Sequence, residues 1–148
     1  MQINKTVELQ FALEVEDDWP PVSVEGLPFE ETPNGYVATI PPLFVKDLSV
    51  GDVIVAERQD DGTVATWHHV SRAPNSVIWL LRVGPNPNVA DALTELERMG
   101  CQTTSLPSLG CYSVSVPAEV TIESVDSVVE KLDPEQVAVA YPSFRHPE

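Results

Sequence analysis

Three histidines and two cysteines are the residues of this chain whose chemistry suits proton transfer, nucleophilic attack or soft-metal ligation. His68 and His69 are adjacent on an expected strand, so their side chains point to opposite faces. One of them faces a core or cleft, and as neighbours they cannot share a metal. A catalytic thiol needs a base beside it, and the candidates are Cys101 and Cys111 with His68 or His69. His146 falls in a tail after Tyr141 (PSFRHPE) that reads as loosely ordered. No Cys-x-x-Cys or His-x-x-x-His spacing supports zinc, so no metal and no cofactor is expected. Nor does the chain contain Gly-x-Gly-x-x-Gly, a phosphate loop or Gly-x-Ser-x-Gly.

Charge is the other chemical signal. Eight basic residues face 23 acidic ones, a net charge of −15. Residues 1–75 carry 13 acids against 4 bases, hence −9, and residues 76–148 carry 10 against 4, hence −6. Between Thr6 and Val45 there is no Lys or Arg, while Glu8, Glu14, Glu16, Asp17, Asp18, Glu25, Glu30 and Glu31 lie there. Such a surface repels nucleic-acid phosphates and anionic lipid, because no basic group replaces their counterions. It suits a basic protein partner or simple solvation. Glu14, Glu16, Asp17 and Asp18 gather enough carboxylate for a hard cation, but no glycine-punctuated loop follows them. Trp19, beside Pro20 and Pro21, reads as a recognition surface or as a plug for a barrel end. Trp67, next to His68, reads as a cleft wall or as core.

The elements that must position these residues fall into two halves. Val7 to Glu16 alternates Val, Leu, Phe, Leu, Val against mostly polar residues, as a half-buried strand does. Pro33-Asn34-Gly35 marks a hairpin between Leu27-Pro28-Phe29 and Tyr36–Ile40, with Asn-Gly as the turn signal. Val53–Glu57 and Thr63–Val70 form a second hairpin around Asp60-Asp61-Gly62. Four or five short antiparallel strands of this kind predict a small barrel or a curved sheet.

Ser76 to Tyr141 reads strand, helix, strand, strand, helix, strand. Val77–Val83 is a continuous apolar run, as in a central strand. After a break at Gly84-Pro85-Asn86-Pro87, Asn88 caps a helix whose Val89, Ala92, Leu93, Leu96 and Met99 share one face, and Gly100 closes it. Cys101–Ser105 is a polar edge strand, and Cys111–Val116 a half-buried one. Their hairpin register sets Cys111 opposite about Thr104, roughly 10 Å from Cys101 at strand rise, too far for a disulfide. Thr121 caps a helix with Ile122, Val125, Val129 and Leu132 inward, and Gln136–Tyr141 is the last strand. The fold class is therefore α+β: a small antiparallel β barrel or curved sheet at 1–75, then a ferredoxin-like βαββαβ sandwich at 76–148 with strand order 4-1-3-2. The helices cover one face of that sheet, so the β subdomain or a second copy of the chain is expected on the other, with the two halves packed as one unit.

No apolar run is long enough to span a membrane, and the N-terminus lacks a signal-peptide core, which predicts a cytoplasmic protein. PPLFVKDLSVGDVIVAE (Pro41–Glu57), VIWLLRV and LTELERMGCQTTSLPSLGCYSVSVP (Leu93–Pro117) resemble a family of short bacterial proteins, domain of unknown function four-two-six-five. The matching parts are Gly51-Asp52, Gly100-Cys101 and Val116-Pro117. The resemblance implies an architecture and no activity. Two functions remain open: a non-catalytic interaction protein, accessory or immunity-type, using its acidic surface; or a small enzyme or small-molecule binder with a cleft between its halves and a histidine base.

Overall fold

A computed structural model describes residues 5–84 and 89–147. The chain divides into two compact units, Met1–Ala73 and Pro74–Glu148. The first is a closed barrel of five strands in sequential order: β1 (Lys5–Ala12), β2 (Val24–Thr32), β3 (Gly35–Ala38), β4 (Val53–Arg58) and β5 (Thr63–Ser71). Four neighbouring pairs are antiparallel, but β1 and β5 close the barrel in parallel through Gln10↔Thr63 and Phe11↔Val64. This corrects the expectation of a purely antiparallel unit. Direction alternates from strand to strand, so with an odd number the first and last must run the same way.

Alternation fills the barrel. Val7 opposes Phe29, Leu9 opposes Leu27, and the core adds Phe11, Ala38, Ile54 and Val64, with Val45 and Leu48 from the β3–β4 connection. The β2–β3 loop is Pro33-Asn34, because Thr32 pairs with Gly35. The Asn-Gly pair is thus not the turn centre: Pro33 takes the first central position, where its fixed negative φ suits a type I or II turn and excludes type I′. Gly35 instead begins β3 at φ +143°, and a Cβ there would meet the Ile54 carbonyl oxygen at 2.5 Å. Its bareness lets β4 approach.

The second unit is a four-stranded sheet with two helices. Its elements are β6 (Ser76–Arg82), α1 (Val89–Arg98), β7 (Gln102–Leu106), a 3-10 turn at Pro107–Leu109, β8 (Cys111–Val116), α2 (Ile122–Val129) and β9 (Val137–Ser143). The strand order is β7-β8-β6-β9, all antiparallel. Ile78, Leu80, Tyr112, Val114 and Val116 meet Val89, Ala92, Leu93 and Leu96 of α1 and Val125 and Val128 of α2 in one cluster. Both helices therefore pack on the sheet face that carries Ile78 and Leu80. Val128 takes a place in that cluster that the sequence pattern did not assign. Thr121 caps α2 by accepting from the Ser124 amide, and Gly100 ends α1 at φ +109°. The Asn88 cap and the 85–87 break lie outside the described residues.

Two expectations about this unit are overturned. β8 is buried along its whole length, its serine face included, and is not the half-buried strand its alternation suggests. The C-terminal tail is not loose: β9 continues to Ser143, and His146 is buried. No helix among the described residues is long and apolar enough to cross a membrane.

Candidate functional site

The acidic candidates form one ordered feature. Glu16 and Trp19 exchange both backbone hydrogen bonds, 2.9 and 3.0 Å, around Asp17 and Asp18. Asp17 and Asp18 take φ of 54° and 65°, the positive pair of a type I′ turn, a conformation aspartate tolerates better than most residues. A further bond from the Leu13 amide to the Ser23 carbonyl, 2.8 Å, ties the base of this hairpin. Glu14, Glu16, Asp17 and Asp18 are all exposed, and among the described residues none is in an ion pair. Trp19 follows through a cis bond to Pro20. Its ring stands edge-on to buried Phe44, centroids 6.0 Å apart, yet stays 46% exposed. The tryptophan is anchored on one side and presented on the other, next to four carboxylates.

The histidine pair resolves by register. Val55 pairs with His68, which is exposed, and buried Ile54 pairs with His69. His69 is thus the inward member. Its Nε2 lies 2.9 Å from Oδ2 of Asp52, a carboxylate with no exposure at all. Oδ2 of Asp52 also accepts the Ser49 amide at 2.9 Å, and Oδ1 the Ala73 amide at 2.7 Å. Trp67, two residues along the same face, meets His69 edge-on at 5.1 Å and Phe11 at 6.2 Å. Trp67 is part of the barrel core's edge. The aspartate of the Gly51-Asp52 motif therefore links the β3–β4 connection, the end of β5 and an inward histidine.

Cys101 and Cys111 lie in the second unit, so neither unit by itself holds one of the 68–69 histidines with a thiol. Both are free and buried. Burial pushes the Cys101 thiol up to about 11 and raises that of Cys111, the opposite of an activated nucleophile. Cys111 pairs with Leu106, not Thr104. The turn is tighter than the sequence suggested, because Pro107–Leu109 folds into a single 3-10 turn. Cys101, just before β7, is then five residues from Leu106, the partner of Cys111, about 17 Å away at strand rise.

Two polar sites escaped the sequence reading. Glu25 belongs to the inward series with Leu27 and Phe29, and its spacing could have shown it. Its Oε2 accepts the Leu43 amide, 2.6 Å, and its Oε1 those of Phe44 and Val45, 2.9 and 3.0 Å. Burial raises its carboxyl above the usual range, against the lowering effect of these three amides. Glu25 is therefore a loop anchor, not part of the acidic surface. Ser76 and His146, 70 residues apart, form the other: Ser76 Oγ lies 2.6 Å from His146 Nδ1. The hydroxyl is wholly buried and also accepts two backbone amides, so it is no exposed nucleophile. Among the described residues no three His, Cys, Asp or Glu side chains converge on a point that could hold a metal ion.

Barrel and helix-backed sheet together define a two-unit β-rich α+β protein. The chain belongs to the family described as domain of unknown function DUF4265, whose model matches residues 33–139. The fold is similar to that in a crystal structure of a hypothetical protein from Neisseria gonorrhoeae, with a TM-score of 0.70, 14% identity and 99% of each chain covered. No curated protein matches the sequence.

Proposed function

We propose that the protein is a non-catalytic interaction module, accessory or immunity-type, that binds a basic protein partner through the Glu14–Trp19 hairpin. The observation that carries this reading is the hairpin itself: four exposed carboxylates and a half-exposed tryptophan held in one fixed turn. Tryptophan is enriched among the energetic centres of protein interfaces, and uncompensated carboxylates steer a basic partner. The same charge disfavours nucleic acid and anionic membrane as partners. We further read the second unit as ferredoxin-like, from its βαββαβ order, and the protein as cytoplasmic, in keeping with free, separated thiols.

The test is capture from bacterial extract with the intact protein and with its Asp17→Lys/Asp18→Lys and Trp19→Ala variants. A basic protein should be retained at low salt and released at about 300 mM, where the Debye length shrinks to a few Å. Both variants should lose it. An identical bound set for all three proteins overturns the reading.

A second reading, a small enzyme or small-molecule binder using His69 as base, has the Asp52–His69 contact in its favour. The two backbone amides on the same carboxylate give that contact a structural use, so it ranks below the first.

A further inference from the structure

We propose that Ser76 and His146 form an acid-released latch that holds the C-terminal segment onto the start of β6. The argument is a count of hydrogens. The Ser76 hydroxyl has two lone pairs and one hydrogen. The Arg145 amide donates to Oγ at 2.8 Å and the His146 amide at 3.2 Å, which occupies both lone pairs. The remaining hydrogen must go to His146 Nδ1, 2.6 Å away, so Nδ1 is an acceptor. The ring proton is then on Nε2, and this nitrogen faces two acceptors, the carbonyl oxygens of Pro117 at 3.0 Å and Val120 at 2.9 Å. Every polar atom of serine and imidazole has a partner, and the arrangement admits one species, the neutral Nε2–H tautomer.

Protonation adds a hydrogen at Nδ1, aimed at an oxygen that has no lone pair left. The serine must then surrender an amide, or the ring must leave. Both groups are buried, so water is not at hand to take the displaced partner. The closed form therefore holds the neutral ring, and acid favours the open one. Three segments pack against the ring: the start of β6, the 117–120 turn, and the chain after β9. Among the described residues, the titratable and charged side chains they carry are Arg145 and Glu119, with Glu123 following in the first turn of α2. Released, residues 144–147 would free the exposed Phe144, whose ring now stands against Tyr141 at 5.7 Å and His146 at 6.4 Å.

Amide hydrogen exchange on the full chain tests the latch. The Arg145 and His146 amides should be protected at about pH 7.5, and their protection factors should fall by about tenfold or more near pH 5. Amides of β6 and β8 should keep theirs. His146→Gln, whose amide can accept from Ser76 and donate to the carbonyls, should show the same protection at both pH values. Protection of the native segment that does not change with pH, or a loss that His146→Gln shows equally, overturns the proposal. The native protein also decides it without any variant: ring nitrogen-15 shifts must report the Nε2–H tautomer at neutral pH, and a proton on Nδ1 refutes the hydrogen count.

Discussion

Removing the Glu25 carboxylate should unfasten the β3–β4 connection from the barrel. The side chain is buried at 8% exposure and accepts three consecutive amides, from Leu43, Phe44 and Val45. A hydrogen bond to a charged acceptor is worth about 1.5–3 kcal/mol, so three sum to about 5–9 kcal/mol before the cost of burying the carboxylate is subtracted. That cost is large, since burial outweighs the amides and leaves the carboxyl pKa raised. Net, Glu25→Ala should lower stability by about 3–5 kcal/mol, the usual penalty for leaving buried charged-group partners unmatched. Glu25→Gln keeps the size but has one acceptor oxygen. Its NH₂ must face at least one of the amides, and we expect a loss of about 2 kcal/mol. Urea unfolding followed by tryptophan fluorescence measures both. At an m-value of about 1.5 kcal/mol/M, a 3 kcal/mol loss moves the midpoint by about 2 M. Trp19 reports on the region directly through its contact with Phe44. The pH dependence has a definite sign. With the folded pKa raised above 4.5, the folded chain holds more protons than the unfolded one between the two values. The pH-dependent part of the Glu25 contribution is thus fully present below the unfolded pKa and is lost as pH rises through the folded one, while the three amide bonds to the carboxylate remain. Glu25→Gln should flatten that slope. If Glu25→Ala unfolds within about 1 kcal/mol of the native protein, the three amides do not hold the connection and the reasoning fails.

Asp52→Ala should cost about 3 kcal/mol in the same assay, since two backbone amides and His69 lose their acceptor, whereas exposed His68→Ala should stay within about 0.5 kcal/mol. Cys101 and Cys111 should both titrate as thiols in the denatured, unreduced protein and react slowly in the native one; a mass two hydrogens low with no titratable thiol would show a disulfide that the β7–β8 register forbids. The protein should not shift DNA or RNA in a mobility assay at about 150 mM salt, and tight binding there would contradict the charge argument.

Where structure is set by near neighbours, the sequence alone determined it. The 3.6-residue spacing of Val89, Ala92, Leu93 and Leu96 placed α1, Thr121 and Gly100 marked helix ends, and period-two alternation placed β1 with Leu9 and Phe11 inward. The spread of charge marked the Glu14–Asp18 stretch as exposed. What only the tertiary structure decided is the partner of each polar group and the cover of each face. A strand pattern says that His68 and His69 diverge, but Ile54 on the neighbouring strand decides that His69 turns inward. The parallel β1–β5 pair depends on how many strands the barrel admits. β8 alternates like a half-buried strand, yet both of its faces are buried in the folded chain. Glu25 meets its amides 18 to 20 residues away, and Ser76 meets His146 across 70. Local patterns record periodicity because backbone geometry repeats. They carry no record of which distant amide or carbonyl will satisfy a buried side chain, because that meeting is made only when the chain closes on itself.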